Sequence, residues 1–147
     1  VAVGRMLKQI PLQRIAYNAI PSVVYTNPEI ACVGLTEKDL NESREGDFAP
    51  SMSTDEPFVP YEVHKLPMTF SGRFVAENEG EMGLCKVIVD KRSKTIMGVH
   101  MIGNPCSEFV AAASFAVRMG YTVGEFKQVV FPHPTVSEVL REVVIEA

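Results

Sequence analysis

The sequence lacks most of the features that reveal a function by composition alone. Its three cysteines, Cys32, Cys85 and Cys106, are widely spaced, which excludes a disulfide framework and a zinc site built on close cysteine pairs. No apolar run reaches the ~18 residues of a membrane span. A net charge of −4 without a basic block gives no reason to expect nucleic acid or an anionic membrane as partner. We therefore expect a globular domain of a reducing compartment, with no metal site and with its cysteines packed in the core.

Short motifs of the common cofactor and nucleophile sites are also missing. The sequence has no GxGxxG turn, no GxxxxGK[ST] loop, no GxSxG turn and no CxxC pair. Its 147 residues, of which 46% are hydrophobic, are enough for one domain with a real core. A chain that begins at Val1 rather than Met is expected to be a fragment or a processed protein.

Strand-like segments precede a run of helix-like segments. We predict strands at residues 22–27, 30–33 and 61–70, and a hairpin formed by 84–89 and 96–102, in which Gly98 marks a bulge or a close backbone approach. We predict helices from Thr36, from Ser107 to Met119 with Gly120 as the stop, after the capping box of Thr122 and Glu125, and from Thr135. This order predicts an α+β fold, with an antiparallel sheet flanked by helices.

Two further segments complete the organisation of the chain. Residues 1–9 have helical spacing of apolar residues before Pro11 and are predicted to be the tail of a helix. Residues 43–60, rich in Ser, Pro, Asp and Glu, are predicted to form a long surface loop. The helix at 107–119 is apolar almost all round, which indicates that it is deeply buried or shared with a partner. Together with the valine-rich stripe of the last helix, it is expected to supply the surface of a symmetric interface.

The segment from His133 to Glu138 (HPTVSE) is the strongest candidate for a chemical role. Pro132 and Pro134 hold the histidine on stiff, non-helical chain just before a helix. A neighbouring carboxylate fixes the tautomer of an imidazole, so His133 with Glu138 could take a proton from a thiol or hydroxyl and return it. The spacing Thr135-x-x-Glu138 is also that of a capping box, in which Glu138 would be structural. The two roles are compatible because a carboxylate has two oxygens.

The remaining histidines are interpreted as structural. His64 and His100 lie in strand-like segments, and neither has the spacing of a metal ligand to His133 or to a cysteine. A hydrolase built on His133 and Glu138 would need a nucleophile and an oxyanion hole, and no motif supplies them. One base does not by itself define an enzyme.

Four stretches, taken together, resemble the C-terminal dimerisation domain of the pyridine nucleotide–disulfide oxidoreductases, and among these the dihydrolipoamide dehydrogenases. They are residues 20–29 (IPSVVYTNPE), 33–37 (VGLTE), 98–103 (GVHMIG) and 133–138 (HPTVSE). The resemblance covers residues 20–147. It identifies residues 1–19 as the tail of a helix from a preceding FAD-binding domain, with a linker.

The resemblance implies a function. Such a domain forms a two-fold homodimer in an enzyme that oxidises a dihydrolipoyl dithiol, on a lipoyl-bearing protein or a small molecule, and passes electrons through FAD to NAD. The residue matching His133 would be the acid/base in the partner subunit's active site, oriented by the residue matching Glu138. His133 and Pro134 would lie near the flavin, with a cis bond between them. Because other domains would bind most of FAD and NAD, the isolated chain is expected to bind neither and to be inactive.

Two of the departures from the family pattern bear on the assignment. Phe131 stands where many dihydrolipoamide dehydrogenases have a second histidine, and residues 43–60 are longer than the usual connection. A glutathione reductase relative and a purely structural dimerisation module are therefore the alternatives. The parent enzyme is expected in the cytoplasm or, in a eukaryote, in the mitochondrial matrix.

Overall fold

The computed structural model describes Val3 and residues 15–42 and 59–147. Apart from Val3, the helix tail predicted at 1–9 lies outside the described residues, as does nearly all of the loop predicted at 43–60. The domain boundary at residue 20 stays a prediction. The five strands of the described residues form one antiparallel sheet in the order β1-β2-β5-β4-β3, which confirms the predicted fold class. The strands are β1 Ser22–Val24, β2 Ile30–Gly34, β3 Tyr61–Pro67, β4 Leu84–Asp90 and β5 Ile96–Ile102.

Two strands are shorter than predicted. β1 ends at Val24 because the chain then turns back, with the hydroxyl of Thr26 donating to the carbonyl of Pro28 at 2.8 Å. β3 ends at Pro67 and is followed by a short 3-10 helix, Met68–Phe70. The prediction for Gly98 is confirmed: a Cβ added there would lie 2.1 Å from the backbone oxygen of Leu35. Only glycine allows the two chain segments to approach so closely.

The helices lie between and after the strands. They are α1 Glu37–Glu42, α2 Gly72–Glu77, α3 Cys106–Met119, α4 Val123–Phe126 and α5 Glu138–Ile145. Gly120 ends α3 in the left-handed conformation, and Thr122 and Glu125 form the predicted capping box of α4. None of the described helices is long and apolar enough to cross a membrane.

One helix was not predicted, and two helices start at other residues than predicted. The helix that was not predicted is α2, which Ser71 caps. α3 begins one residue before Ser107, whose amide donates to the carboxylate of Glu29 at 2.9 Å. This carboxylate, distant in the sequence, accepts a hydrogen bond from a free amide of the first turn and interacts favourably with the positive end of the helix dipole. α5 begins at Glu138, three residues later than predicted, because the hydroxyl of Thr135 donates to the carbonyl of Pro132 instead of capping the helix.

The core lies between the sheet and two helices. α3 packs against β2 and β5, and α5 packs against β3 and β4. The valine-rich stripe predicted for the last helix is buried in this core, so the expectation that it supplies a dimer surface is wrong. Its members are Val136, which precedes α5, and Val139, Leu140, Val143 and Val144 within α5. α3 is half-buried rather than deeply buried, since Phe115 is 68% exposed and Met119 is 64% exposed. This is the second of the two arrangements considered for it, in which one face stays available to a partner.

Candidate acid/base site

The structure brings the two predicted site residues together. His133 lies on the segment that joins α4 to α5, and the His133–Pro134 bond is cis, as the resemblance implied. His133 Nδ1 is 2.9 Å from Glu138 Oε1. The histidine side chain is 82% exposed and the glutamate side chain 23% exposed. The pair therefore presents its imidazole to the outside while its carboxylate is anchored at the first residue of α5.

Both oxygens of Glu138 are used, so the geometry permits both of the roles considered for it. Oε1 faces His133, and Oε2 accepts a hydrogen bond from the amide of Thr135 at 2.8 Å. The capping box is only half formed, because the Thr135 hydroxyl donates to the carbonyl of Pro132 at 2.8 Å. The Thr135 amide, followed by the hydrogen bond from His133, lowers the pKa of the Glu138 carboxyl. Glu138 is thus held as a carboxylate at neutral pH.

The hydrogen bond determines which ring nitrogen of His133 can act. A carboxylate only accepts, so Nδ1 must carry the hydrogen of their hydrogen bond. In the neutral imidazole, Nε2 then has the free lone pair. Nε2 has no hydrogen-bond partner among the residues that the structure describes. The arrangement can accept a proton at Nε2 and stabilise the resulting imidazolium with the charge of Glu138.

Sequence reasoning did not identify Ser71 as part of this site. Ser71 is 3% exposed. Its hydroxyl donates to the carbonyl of Thr135 at 2.9 Å and accepts from the amide of Phe74 at 3.2 Å. The N-cap role could have been suspected from a serine before a short helix. The contact with Thr135, 64 positions further along the chain, has no local signal.

Two shallow grooves among the described residues lie beside the pair. One, of about 270 Å³, is lined by Pro134 together with Arg73 and Phe109. The other, of about 190 Å³, runs past Glu138 and Phe131. The ring of Phe131 packs against Phe126 with 5.9 Å between centroids. Phe131, at the position where the resemblance implies a histidine, thus contributes to packing.

The other histidines do not join the pair. His100 Nε2 bonds to the backbone oxygen of Leu35 at 3.0 Å, and burial lowers the pKa of His100. His64 is half-buried, and its Nε2 has no hydrogen-bond partner among the described residues. Within the described part of the chain, no three His, Cys, Asp or Glu side chains are grouped so that they could hold a metal ion.

The cysteines follow the predicted packing role in two of three cases. Cys85 and Cys106 are buried, whereas Cys32 is only half-buried. Burial raises the pKa of the Cys85 thiol to about 12 and that of the Cys106 thiol to about 11. Thiols with such pKa values are poor nucleophiles at neutral pH.

The fold of this domain occurs in solved structures. It is shared with LpdA from Mycobacterium tuberculosis, at a TM-score of 0.80 and 21% identity, over 99% of this chain and 28% of that one. It is also shared with the flavoprotein disulfide reductase RclA from Escherichia coli, at a TM-score of 0.69 and 21% identity, over 86% of this chain and 26% of that one. At these identities the likeness establishes the architecture alone.

The sequence comparison establishes the family. The model of the pyridine nucleotide-disulphide oxidoreductase dimerisation domain matches residues 20–144, and the chain belongs to this family. It is 38% identical to a mitochondrial dihydrolipoyl dehydrogenase of Caenorhabditis elegans over 128 residues, which are 87% of this chain and 23% of that protein. It is 35% identical to dihydrolipoyl dehydrogenase 3 of Pseudomonas aeruginosa over 127 residues, 86% of this chain and 24% of that protein. The chain spans about a quarter of the length of these relatives.

Proposed function

We propose that this chain is the dimerisation domain of a homodimeric, dihydrolipoyl dehydrogenase-like oxidoreductase, and that His133 and Glu138 are the acid/base pair for its dithiol substrate. The observation that carries the proposal is the 2.9 Å contact between His133 Nδ1 and Glu138 Oε1, which leaves Nε2 as the outward-facing base. Family membership supplies the reaction class.

The pair would act on the proton of a substrate thiol. Nε2 of His133 accepts that proton, and the thiolate attacks a disulfide of the enzyme, so that a mixed disulfide forms and one enzyme sulfur leaves as a thiolate. The second substrate thiol, once deprotonated, attacks the mixed disulfide; the substrate is released as a disulfide and the enzyme keeps a dithiol. FAD, when bound by other domains of the parent enzyme, would carry the electron pair on to NAD. Glu138 stabilises the imidazolium throughout these steps.

A second subunit is proposed because the pair is incomplete in this domain. The 82% exposure of the His133 side chain means that the described residues supply no water-excluded site around the base. α3 also exposes Phe115 and Met119, which are suited to a further protein surface. A two-fold dimer would place each His133 in the partner's active site, where a lipoyl-bearing protein or a small dithiol would bind.

We propose that His133 and Pro134 contact only the edge of the flavin. His133 and Pro134 are both exposed, and Pro134 lines an open groove rather than an enclosed cavity. These residues fit contact with a flavin that is held elsewhere, and they do not form a flavin site within the domain. We expect the isolated chain to bind neither FAD nor NAD and to be inactive. A reducing compartment, the cytoplasm or the mitochondrial matrix, fits the free thiols of Cys85 and Cys106.

Rapid kinetics of the full-length enzyme test this proposal. His133→Gln should slow flavin reduction by dihydrolipoamide by roughly 10², the contribution expected of a positioned base. Reduction of the same variant by NADH, which needs no thiol deprotonation, should be unchanged. His64→Gln, in β3, is the control and should behave as wild type. An unchanged dithiol reaction in His133→Gln would refute the role of the base.

A further inference from the structure

We propose that Ser71 is a positioning residue for the acid/base pair: its buried hydroxyl fixes the loop that aims Glu138 at His133. This inference rests on the proposed function of that pair. Ser71 lies in a different part of the chain from the pair, and it acts on the pair only through the backbone of Thr135.

The hydroxyl of Ser71 is a fixed point in the core. Its single hydrogen is donated to the carbonyl of Thr135 at 2.9 Å, and its oxygen accepts from the amide of Phe74 at 3.2 Å. Ser71 is 3% exposed, and the Phe74 ring is fully buried. Because water has almost no access to this hydroxyl, removing it would leave the Thr135 carbonyl without its donor.

Thr135 is the junction between this fixed point and the site. Its carbonyl accepts from Ser71, and its amide donates to Glu138 Oε2 at 2.8 Å. Its hydroxyl donates to the carbonyl of Pro132 at 2.8 Å. A residue held at its carbonyl and its side chain has little freedom to turn its amide. The Ser71 bond therefore helps to set the direction of the Glu138 carboxylate, whose other oxygen meets His133.

The orientation of His133 depends on these hydrogen bonds because its own side chain is scarcely packed. The His133 side chain is 82% exposed, and residues 130–134 lie outside helix and strand. A reacting group displaced by about 1 Å can lose 10² in rate. Loss of the Ser71 hydroxyl removes neither the base nor the carboxylate. We therefore expect a fall in kcat of roughly tenfold, with KM for the dithiol nearly unchanged.

The test uses the full-length enzyme and three variants of Ser71. Ser71→Ala should lower kcat for dihydrolipoamide oxidation by roughly tenfold while flavin reduction by NADH keeps its rate. Ser71→Thr, which keeps the hydroxyl, should restore most of kcat. Ser71→Cys keeps the side-chain volume but has a weaker hydrogen-bond donor, so its kcat should lie between those of the alanine and threonine variants. If the alanine variant does not fold, the kcat of Ser71→Cys tests the inference in its place.

A matched control separates positioning from helix capping. Thr122 caps α4 through its hydroxyl, which accepts from the amide of Glu125 at 3.2 Å. Thr122→Ala therefore removes a cap of the same kind away from the pair, and it should leave kcat unchanged. Equal slowing by Thr122→Ala and Ser71→Ala would mean that lost capping, and not positioning, is measured.

The double variant tells whether Ser71 acts through the base. If it does, Ser71→Ala should slow His133→Gln by no more than twofold, although it slows the wild type by roughly tenfold. A wild-type rate in Ser71→Ala, or the same tenfold loss in the His133→Gln background, would overturn the inference. A normal dithiol reaction in His133→Gln itself would instead refute the proposed function, so the two failures are distinguishable.

Discussion

Replacing Glu138 by Gln changes one atom of the site and removes its charge. The carboxylate now accepts two hydrogen bonds, from His133 Nδ1 at 2.9 Å and from the Thr135 amide at 2.8 Å. A glutamine has one acceptor and one donor group, so it can satisfy only one of these partners. If its oxygen stays on Thr135, its NH₂ group faces Nδ1 and moves the imidazole hydrogen to Nε2, which is then no longer a base.

The size of the effect follows from the exposure of the pair. A hydrogen bond to a charged group contributes about 1.5–3 kcal/mol, and solvent screening at an 82% exposed histidine side chain places this pair at the low end. About 1.4 kcal/mol corresponds to a tenfold change in rate. The incorrect tautomer adds to this loss. We expect Glu138→Gln to lower kcat for the dithiol by roughly 10- to 100-fold.

Stopped-flow reduction of the full-length enzyme by dihydrolipoamide measures this effect. The matched control is Glu125→Gln, because Glu125 Oε2 accepts from the amide and hydroxyl of Thr122 at 2.8 Å each without a histidine nearby. The Glu125→Gln variant should lose the same kind of helix cap but keep the wild-type rate of flavin reduction by dihydrolipoamide. A wild-type rate in Glu138→Gln would refute the reasoning, as would an equal loss in Glu125→Gln.

The pH of this assay can be chosen from the pKa of Glu138. Hydrogen bonds from Thr135 and His133 hold that pKa below the ordinary value of 4.5. The stability that these bonds give the folded state is therefore fully present above pH 4.5 and is lost as the pH falls through the lowered pKa. Between about pH 6 and 8 the wild-type residue is a carboxylate, so protonation of Glu138 does not contribute to a difference from the glutamine variant.

Two further predictions concern the core. Gly98→Ala should lower the free energy of unfolding by about 1–3 kcal/mol, because the new Cβ would lie 2.1 Å from the Leu35 backbone oxygen. The control, Gly72→Ala, should not be destabilised, because its Cβ meets nothing within 4 Å. Thermal denaturation measures the difference, and equal melting temperatures of the two variants would contradict the close approach at Gly98. Cys85 and Cys106, with thiol pKa values raised to about 12 and about 11, should resist alkylation at about pH 8 until the protein is denatured. Mass spectrometry of labelled peptides checks this, and rapid labelling of either thiol in the folded enzyme would be the contrary result.

Local patterns predicted much of the fold. The 3.6-residue spacing of Val139, Leu140 and Val143 indicated a helix with one apolar face, and that face is buried. Thr122 and Glu125 formed the predicted capping box because both partners lie within one helical turn. The contact between His133 and Glu138 was within reach for the same reason, since only five positions separate them.

Contacts between distant residues account for what was missed. α2 was not predicted because Phe74 and Val75 favour a strand by propensity, whereas burial of Phe74 and the cap from Ser71 favour the helix. The start of α3 was misplaced because the carboxylate at its amino end comes from Glu29, 78 positions away. The stripe on α5 was expected to face a partner, and only the tertiary structure shows that β3 and β4 cover it. Periodicity identifies an apolar face but not its neighbour.

Hybrid dimers of the full-length enzyme test the central claim, that His133 serves the partner subunit. One subunit would carry His133→Gln, and the other would keep His133 but have its redox disulfide replaced by serines. Each homodimer should be nearly inactive. If His133 acts across the interface, the hybrid contains one complete site and should show about half the activity of the wild-type dimer, as expected for a two-fold arrangement. A hybrid as inactive as its parents would contradict the account.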